Sequence, residues 1–328
     1  MTDSRSSGSL KQSCRHEAPT KSRVSIEATI LDVSIGLAPG ECIVVLTGDT
    51  QLERALPLYR EALRLGAQSV LLLQESPREG NDLGPATEAA FAAADVIVSV
   101  LEGSISHARA TRTALARGAR VVSMGGSTGE MVERLLSTDL EAVSSRSRRI
   151  AAALTAAGHA RITCPRGTDL TLNLASRSGV ADDGDLRAPG CLGNMPFGEG
   201  FIAPTGGDGV IAPMSVAGQG LVCDGSILEV RDSVLVGAKG QAGKALYATL
   251  DRHGPAGRNV AELGIGAHGG AQISGDILED EKVLGSVHVA FGANANFGGD
   301  VEVPIHIDCV IPDASIEFDG VPFDPFTA

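Results

Sequence analysis

Tryptophan is absent from this 328-residue chain and tyrosine occurs only twice. No run of about 18 apolar residues is present, which excludes a membrane-spanning helix. Basic residues are outnumbered: 27 Lys and Arg stand against 40 Asp and Glu, for a formal charge of −13. Phosphate grooves and anionic membrane surfaces are built from Lys and Arg, so this deficit argues against nucleic acid or a membrane as partner and favours a small molecule or peptide. The six cysteines (Cys14, Cys42, Cys164, Cys191, Cys223 and Cys309) include no C-x-x-C pair. Scattered thiols of this kind fit a reduced, cytoplasmic protein better than a disulfide frame. Residues 1–23 are Ser-rich and lack an apolar core, so they do not read as a secretory signal and are expected to form a disordered tail.

What is present is the composition of a globular protein, 43% hydrophobic and 20% charged, with length for about two domains. From Cys42 onward short aliphatic runs ("CIVVLTG", "SVLLLQ", "DVIVSVL", "RVVSM") alternate with amphipathic segments ("TQLERALPLYREALRLGA", "HARATRTALARGA", "GEMVERLLS"). Alternation of this kind predicts βαβ units and a doubly wound, mostly parallel α/β domain over residues 24–157, its last helix covering about 142–157. The dinucleotide fingerprint is missing, because the first turn reads "LTGDTQ" with a single Gly. A P-loop look-alike, "VGAKGQAGKAL", also fails: Ala238 stands where the first Gly is needed and Ala245 follows Lys244. Beyond residue 157 the texture becomes Gly-rich and period-2, with hairpin-like stretches such as "GLVCDGSILEVRDSVLVG" and one helix, "KALYATLDRHG". Residues 158–328 are therefore expected to form a separate β-rich α+β domain.

That second half holds the ionisable residues in unexpected places. Glu199 in "FGEGFIAP", Glu262 in "NVAELGIGAH", His288 in "GSVHVAFG" and the pair His306 and Asp308 in "VPIHIDCVIP" are flanked by strand-like apolar residues or Gly. Residues i and i+2 of a strand share a face, so His306 and Asp308 project together. Two Glu, two His and an Asp make an acceptable ligand set for Zn, Mn, Co or Fe(II), and they carry enough carboxylates for one to bridge two ions. Plainer readings exist for each: a lone buried His satisfied by a carbonyl, a structural His–Asp pair, or a solvated turn for Glu281 in the charge cluster "EDEK". Glu262 has no counter-charge among its sequence neighbours, and an unpaired buried carboxylate is costly. His268, in "GIGAHGG", is a candidate substrate contact expected to face solvent, while His16, His107, His159 and His253 read as structural.

The segments "GEGFIAP", "NVAELGIG", "EDEKVLGSVHVAFG", "PIHID" and "RITCPRGTDLTLNL" together resemble the metallo-aminopeptidases of the aminopeptidase T and aminopeptidase S type. The resemblance implies two divalent metal ions held by Glu199, Glu262, His288, His306 and Asp308. It also implies a general acid/base at Glu281, a dimeric protein, and hydrolysis of an N-terminal peptide bond or small amide. The chain departs from that pattern seven residues after His288, where the family's catalytic Tyr is replaced by Ala295. Asn294 and Asn296 are the candidate substitutes as hydrogen-bond donors to substrate. Across "GGDVEVPIHID" the chain is also similar to 2,5-dihydroxypyridine 5,6-dioxygenase, of the same superfamily. That likeness implies a ring-cleaving reaction at one Fe(II) held by two His and an Asp, with Glu262 standing at the first His.

Overall fold

The computed structural model describes residues 24–74, 83–106 and 108–327. The expected tail over residues 1–23 and the reading of His107 lie outside the described residues.

Aliphatic runs that are buried on both faces belong in a parallel sheet covered by helices. Five strands build such a sheet, in the spatial order Gln68–Leu73, Cys42–Thr47, Val96–Val100, Arg120–Ser123 and Leu192–Asn194, all parallel. The inner three are buried almost throughout, whereas Gln68–Leu73 at the edge is partly exposed. Helices Leu52–Arg64, Gly84–Ala93, Arg109–Ala116 and Gly129–Leu136 follow the strands as expected. The expected bridging helix is Leu140–Ala156, opened by Asp139, whose carboxylate accepts from the Ala142 amide.

The boundary expected at 157/158 is crossed by the chain. Leu192–Asn194, from the second half, pairs in parallel with Arg120–Ser123 and completes the first sheet. Three residues reading "LGN" carry no periodicity, so this return could not be read from pattern.

The second half forms two seven-stranded antiparallel sheets. One runs Val234–Lys239, Ile227–Arg231, Gly206–Ile211, Asp169–Asn173, His159–Thr163, Ser315–Phe318, Val321–Phe323. The other runs Gly220–Leu221, Ser215–Val216, His306–Ile311, Val287–Gly292, Val260–Gly266, Glu199–Ile202, Val180–Asp182. Their inner faces share one apolar core, with Ile162, Leu170 and Leu172 from the first sheet and Ile265, Val289 and Ile311 from the second. The bridging helix adds Ile150 and Leu154 to the same core.

The hairpin-like stretch "GLVCDGSILEVRDSVLVG" holds its hairpin in its second part. The strands Ile227–Arg231 and Val234–Lys239 turn at Asp232 and Ser233, both at positive φ, and not at Asp224–Gly225. Asp224 instead accepts from the amides of Gln241 and Ala242 at the start of helix Gln241–Asp251, and Ser226 accepts from Gly243. The P-loop look-alike does lie on a strand-to-helix junction, but the protein's own carboxylate occupies the anion position there.

Candidate metal centre

Four neighbouring strands carry the centre, and alternation decides what faces it, with a register shift between Val260 and Glu262 turning Glu262 away from the core that holds Val260. On His306–Ile311, residues Ile307, Cys309 and Ile311 pack into the core while His306 and Asp308 turn to the opposite face. On Val287–Gly292 the core takes Val287, Val289 and Phe291, leaving His288 on that same outer face. Glu262 on Val260–Gly266 and Glu199 on Glu199–Ile202 complete the row, with register pairs Gly264↔His288, Gly266↔Glu199 and Ala290↔Asp308. Opposite the ligands the face is kept small. A Cβ at Gly264 would fall 2.0 Å from His288 Nε2, so only glycine leaves the imidazole its place.

The five side chains converge. His288 Nε2 lies 3.2 Å from Glu199 Oε2 and 3.4 Å from Glu262 Oε1, and His306 Nε2 lies 3.3 Å from Glu262 Oε2 and 3.5 Å from Asp308 Oδ1. Three groups could each surround an ion: Glu199 with Glu262 and His288, Glu262 with His306 and Asp308, and Glu281 with His288 and Asp308. His306 Nδ1 is 2.8 Å from the Ala293 carbonyl and donates to it, which directs Nε2 and its lone pair at the centre. Glu199 Oε2 is buried without a hydrogen-bond donor. Imidazole nitrogens and carboxylate oxygens aimed at one another, one of them orphaned, fit a divalent ion as their common partner.

The electrostatics follow from this crowding. Burial alone would lower the imidazole pKa values, but Glu199, Glu262 and Glu281 outweigh it at His288 and raise it to about 9. Asp308 and Glu262 raise His306 in the same way. Burial works to raise Glu262, yet its hydrogen bonds to both imidazoles hold it well below the usual carboxylate range. Glu281 goes the other way: burial, then Glu199 and Asp308, push it up to about 8 against the pull of Lys282.

The "EDEK" cluster is not a solvated turn. Glu279, Asp280, Glu281 and Lys282 are all buried, and each charge has a partner. Glu279 takes a two-pronged contact from Arg134 of the parallel-sheet half, at 2.9 and 3.0 Å. Asp280 accepts from the amides of Ser274 and Gly275 and fixes the loop. Lys282, fully buried, reaches Glu199 Oε1 at 2.5 Å, Glu281 Oε1 at 2.8 Å and Asp182 Oδ2 at 3.4 Å. Lys282 and Asp182 are the members of the centre that sequence reasoning missed. The only signal was that the EDEK cluster directly precedes a strand bearing a ligand.

The remaining candidates separate. Asn294 is buried, with Oδ1 accepting from Val301 N at 2.9 Å and Nδ2 facing the Ala261 carbonyl at 3.4 Å, so both ends of its amide organise the loop. Ala295 and Asn296 lie exposed on the short turn Ala295–Phe297. The next residue, Phe297, stands edge-on to the His306 ring, with centroids 6.0 Å apart. His268 does not face solvent as expected. It is buried at the seam between the two halves, with Nδ1 accepting from Gly270 N and Nε2 directed at Thr138, 3.5 Å away. Burial, with help from Arg146 and Arg134, lowers its pKa to about 4.

Among the described residues no helix is long and apolar enough to cross a membrane. No curated protein matches the chain in sequence. Among solved structures, the fold is similar to that of 2,5-dihydroxypyridine dioxygenase from Pseudomonas putida KT2440, at TM-score 0.77 and 18% identity over 91% of this chain and 94% of that one. It is similar also to wild-type AmpT from Thermus thermophilus, at TM-score 0.64 and 20% identity over 91% and 96%. These likenesses establish a fold shared by both, which is as far as the expected aminopeptidase membership extends. The family model for 2,5-dihydroxypyridine 5,6-dioxygenase, NicX, matches residues 31–222, more than half of the chain, and includes Glu199. On that match the chain belongs to the NicX family.

Proposed function

We propose that the protein is a divalent-metal-dependent hydrolase of small amides or N-terminal peptide bonds. One observation carries this reading. Each of the three possible ion-holding groups joins one imidazole to two carboxylates, and among the described residues none contains both His288 and His306. Oxygen-activating iron is held by two His and one carboxylate, whereas oxygen-rich sets suit Zn, Co or Mn in hydrolysis. The ion would be held by Glu262, His306 and Asp308, with His288 and Glu199 beside them; when bound, it polarises a carbonyl and eases ionisation of water.

The chain's own groups have separable tasks. Glu281, with a carboxylate oxygen within 4.8 Å of ligand atoms of His288 and Asp308, takes a proton from the attacking water as the new C–O bond forms and passes it to the amine nitrogen as the C–N bond breaks. Asn296, exposed beside His306's aromatic neighbour Phe297, is the candidate donor to substrate. Asn294 and His268 support this surface from behind, through the loop and the seam. A homodimer with a small peptide or amide as substrate completes the reading. The test is hydrolysis of an aminoacyl-amide panel by protein loaded with Zn, Co or Mn. Glu262→Ala is expected to abolish both bound metal and turnover, and activity that survives full chelation would sink the proposal.

A second reading, ring cleavage of a dihydroxypyridine with Fe(II), is favoured by the family match and by Ala295 standing where a phenol would serve hydrolysis. Oxygen uptake by anaerobically Fe(II)-loaded protein with 2,5-dihydroxypyridine discriminates the two. Uptake that tracks loss of the dihydroxypyridine reverses the ranking.

A further inference from the structure

We propose that Val180, Phe201 and Phe297 form an apolar wall beside the ion centre, which selects substrates carrying an aromatic side chain next to the bond that is cleaved. The inference deepens the hydrolase reading, on which the scissile amide rests; the wall itself rests on the geometry of the site.

Strand alternation puts the wall on the ligand face. Phe201 lies two residues from Glu199 on strand Glu199–Ile202, so both side chains leave the same face, while Ile202 enters the core. Its register partners are Gly264, itself opposite His288, and Val180 on the edge strand Val180–Asp182. Residues directly opposite share a face, so His288, Gly264, Phe201 and Val180 form one row running outward from the ligands. Phe297 reaches this row from the loop that joins strands Val287–Gly292 and His306–Ile311. Its ring stands edge-on to Phe201, with centroids 5.4 Å apart, and to His306, at 6.0 Å. His306 aims Nε2 at the centre, so a side chain resting on the two phenylalanines is attached next to the bond held there. Both phenylalanines are half-buried and Val180 is 36% exposed, which leaves the wall open to a ligand.

The loop is built to hold Phe297 in place. Asn294 Oδ1 accepts from Val301 N across it, and a Cβ at Gly299 would fall 2.0 Å from Asn294 Cγ. Arg177, three residues before Val180, donates to the Gly298 carbonyl and, at 2.5 Å, to Asp300. Arg177 is thus a positioning residue, its charge engaged by the loop, and the wall meets substrate with apolar carbon. Aromatic pairs gain from edge-on and offset contacts beyond the area they bury, which favours a ring over an aliphatic chain of equal size.

Calorimetric titration of the Mn²⁺-loaded chain with L-phenylalanine hydroxamate and L-alanine hydroxamate, chelating probes that differ by one phenyl ring, tests the wall by binding and not by turnover. The wild-type chain should prefer the phenyl probe about 30-fold, on the scale by which apolar pockets discriminate. Phe297→Ala and Phe201→Ala should each reduce that preference to about threefold or less. Arg177→Gln should bring it between those values at unchanged Mn²⁺ content, and Arg177→Lys should recover part of it, a pattern that loss of stability alone does not produce. If Phe201→Ala does not fold, Phe297→Ala, on a surface turn, decides. Equal wild-type affinities, or a preference that Phe297→Ala leaves intact, overturns the inference and leaves hydrolysis to be judged on the amide panel. A phenyl preference that Phe297→Ala abolishes, in a chain that hydrolyses no amide, keeps the wall and overturns the hydrolase reading. A wild-type chain that binds neither probe overturns the inference.

Discussion

Two buried histidines on adjoining strands meet opposite surroundings. His268 continues the line of strand Val260–Gly266 to the seam with the parallel-sheet half, where Arg134 and Arg146 approach and its pKa falls to about 4. His288, on the neighbouring strand, faces Glu199, Glu262 and Glu281 and is raised to about 9. Both rings are about 1% exposed, so burial does not distinguish them. The neighbouring charge does: at the seam burial goes unopposed by a carboxylate cluster and keeps the imidazole neutral, whereas Glu199, Glu262 and Glu281 outweigh burial at His288.

The largest expected effect removes the anionic side of that contrast. Glu262, His288 and Asp308 each belong to two of the three ion-holding groups, and Glu262 alone among them faces both imidazoles, His288 Nε2 at 3.4 Å and His306 Nε2 at 3.3 Å. Glu262→Gln should therefore weaken divalent-ion binding more than any other single change, by about 100-fold or more, in calorimetric titration. Next comes the seam. Arg134→Ala strands Glu279, whose side chain is 3% exposed, and should cost about 3 kcal/mol in urea unfolding, in the range for breaking one side of a buried pair.

The pH dependence of the seam has a definite sign. An unfolded-chain histidine binds a proton below about pH 6.5, whereas folded His268 does so only below about 4. Between those values the unfolded state holds the extra proton, so stability falls as pH drops from about 6.5 to 4 and loses nothing further from this group below that. The contribution is up to about 3 kcal/mol, and the difference in unfolding free energy between wild type and His268→Gln should shrink over that window. A Gly264→Ala change should act on the other side, displacing the His288 ring and lowering ion affinity about tenfold while costing about 1–3 kcal/mol of stability by overpacking. Smallest is Phe297→Leu, which loses an edge-on aromatic contact worth about 1 kcal/mol.

Much of the centre was legible because strands alternate. The spacing of His306 and Asp308 put both on one face, and the apolar neighbours of Glu199, Glu262 and His288 marked them as buried. Placing them beside one another required strand order, which pattern does not contain. Glu281 and Lys282 were the hardest to judge, because "EDEK" has the composition of a solvated turn. Its burial depends on Arg134, Asp182 and Glu199, all distant along the chain. His268 misled for the complementary reason: glycines on both sides signal an open loop, while the groups that enclose it come from the parallel-sheet half.

By itself, then, the sequence determined the class of each half and the residue types able to hold an ion, since periodicity and side-chain chemistry are local properties. Only the tertiary structure decided which charges are neutralised from within and which face outward. It carried Leu192–Asn194 back to the first sheet and brought three carboxylates around Lys282, because the balance between desolvation and charge pairing is set by neighbours in space and not along the chain.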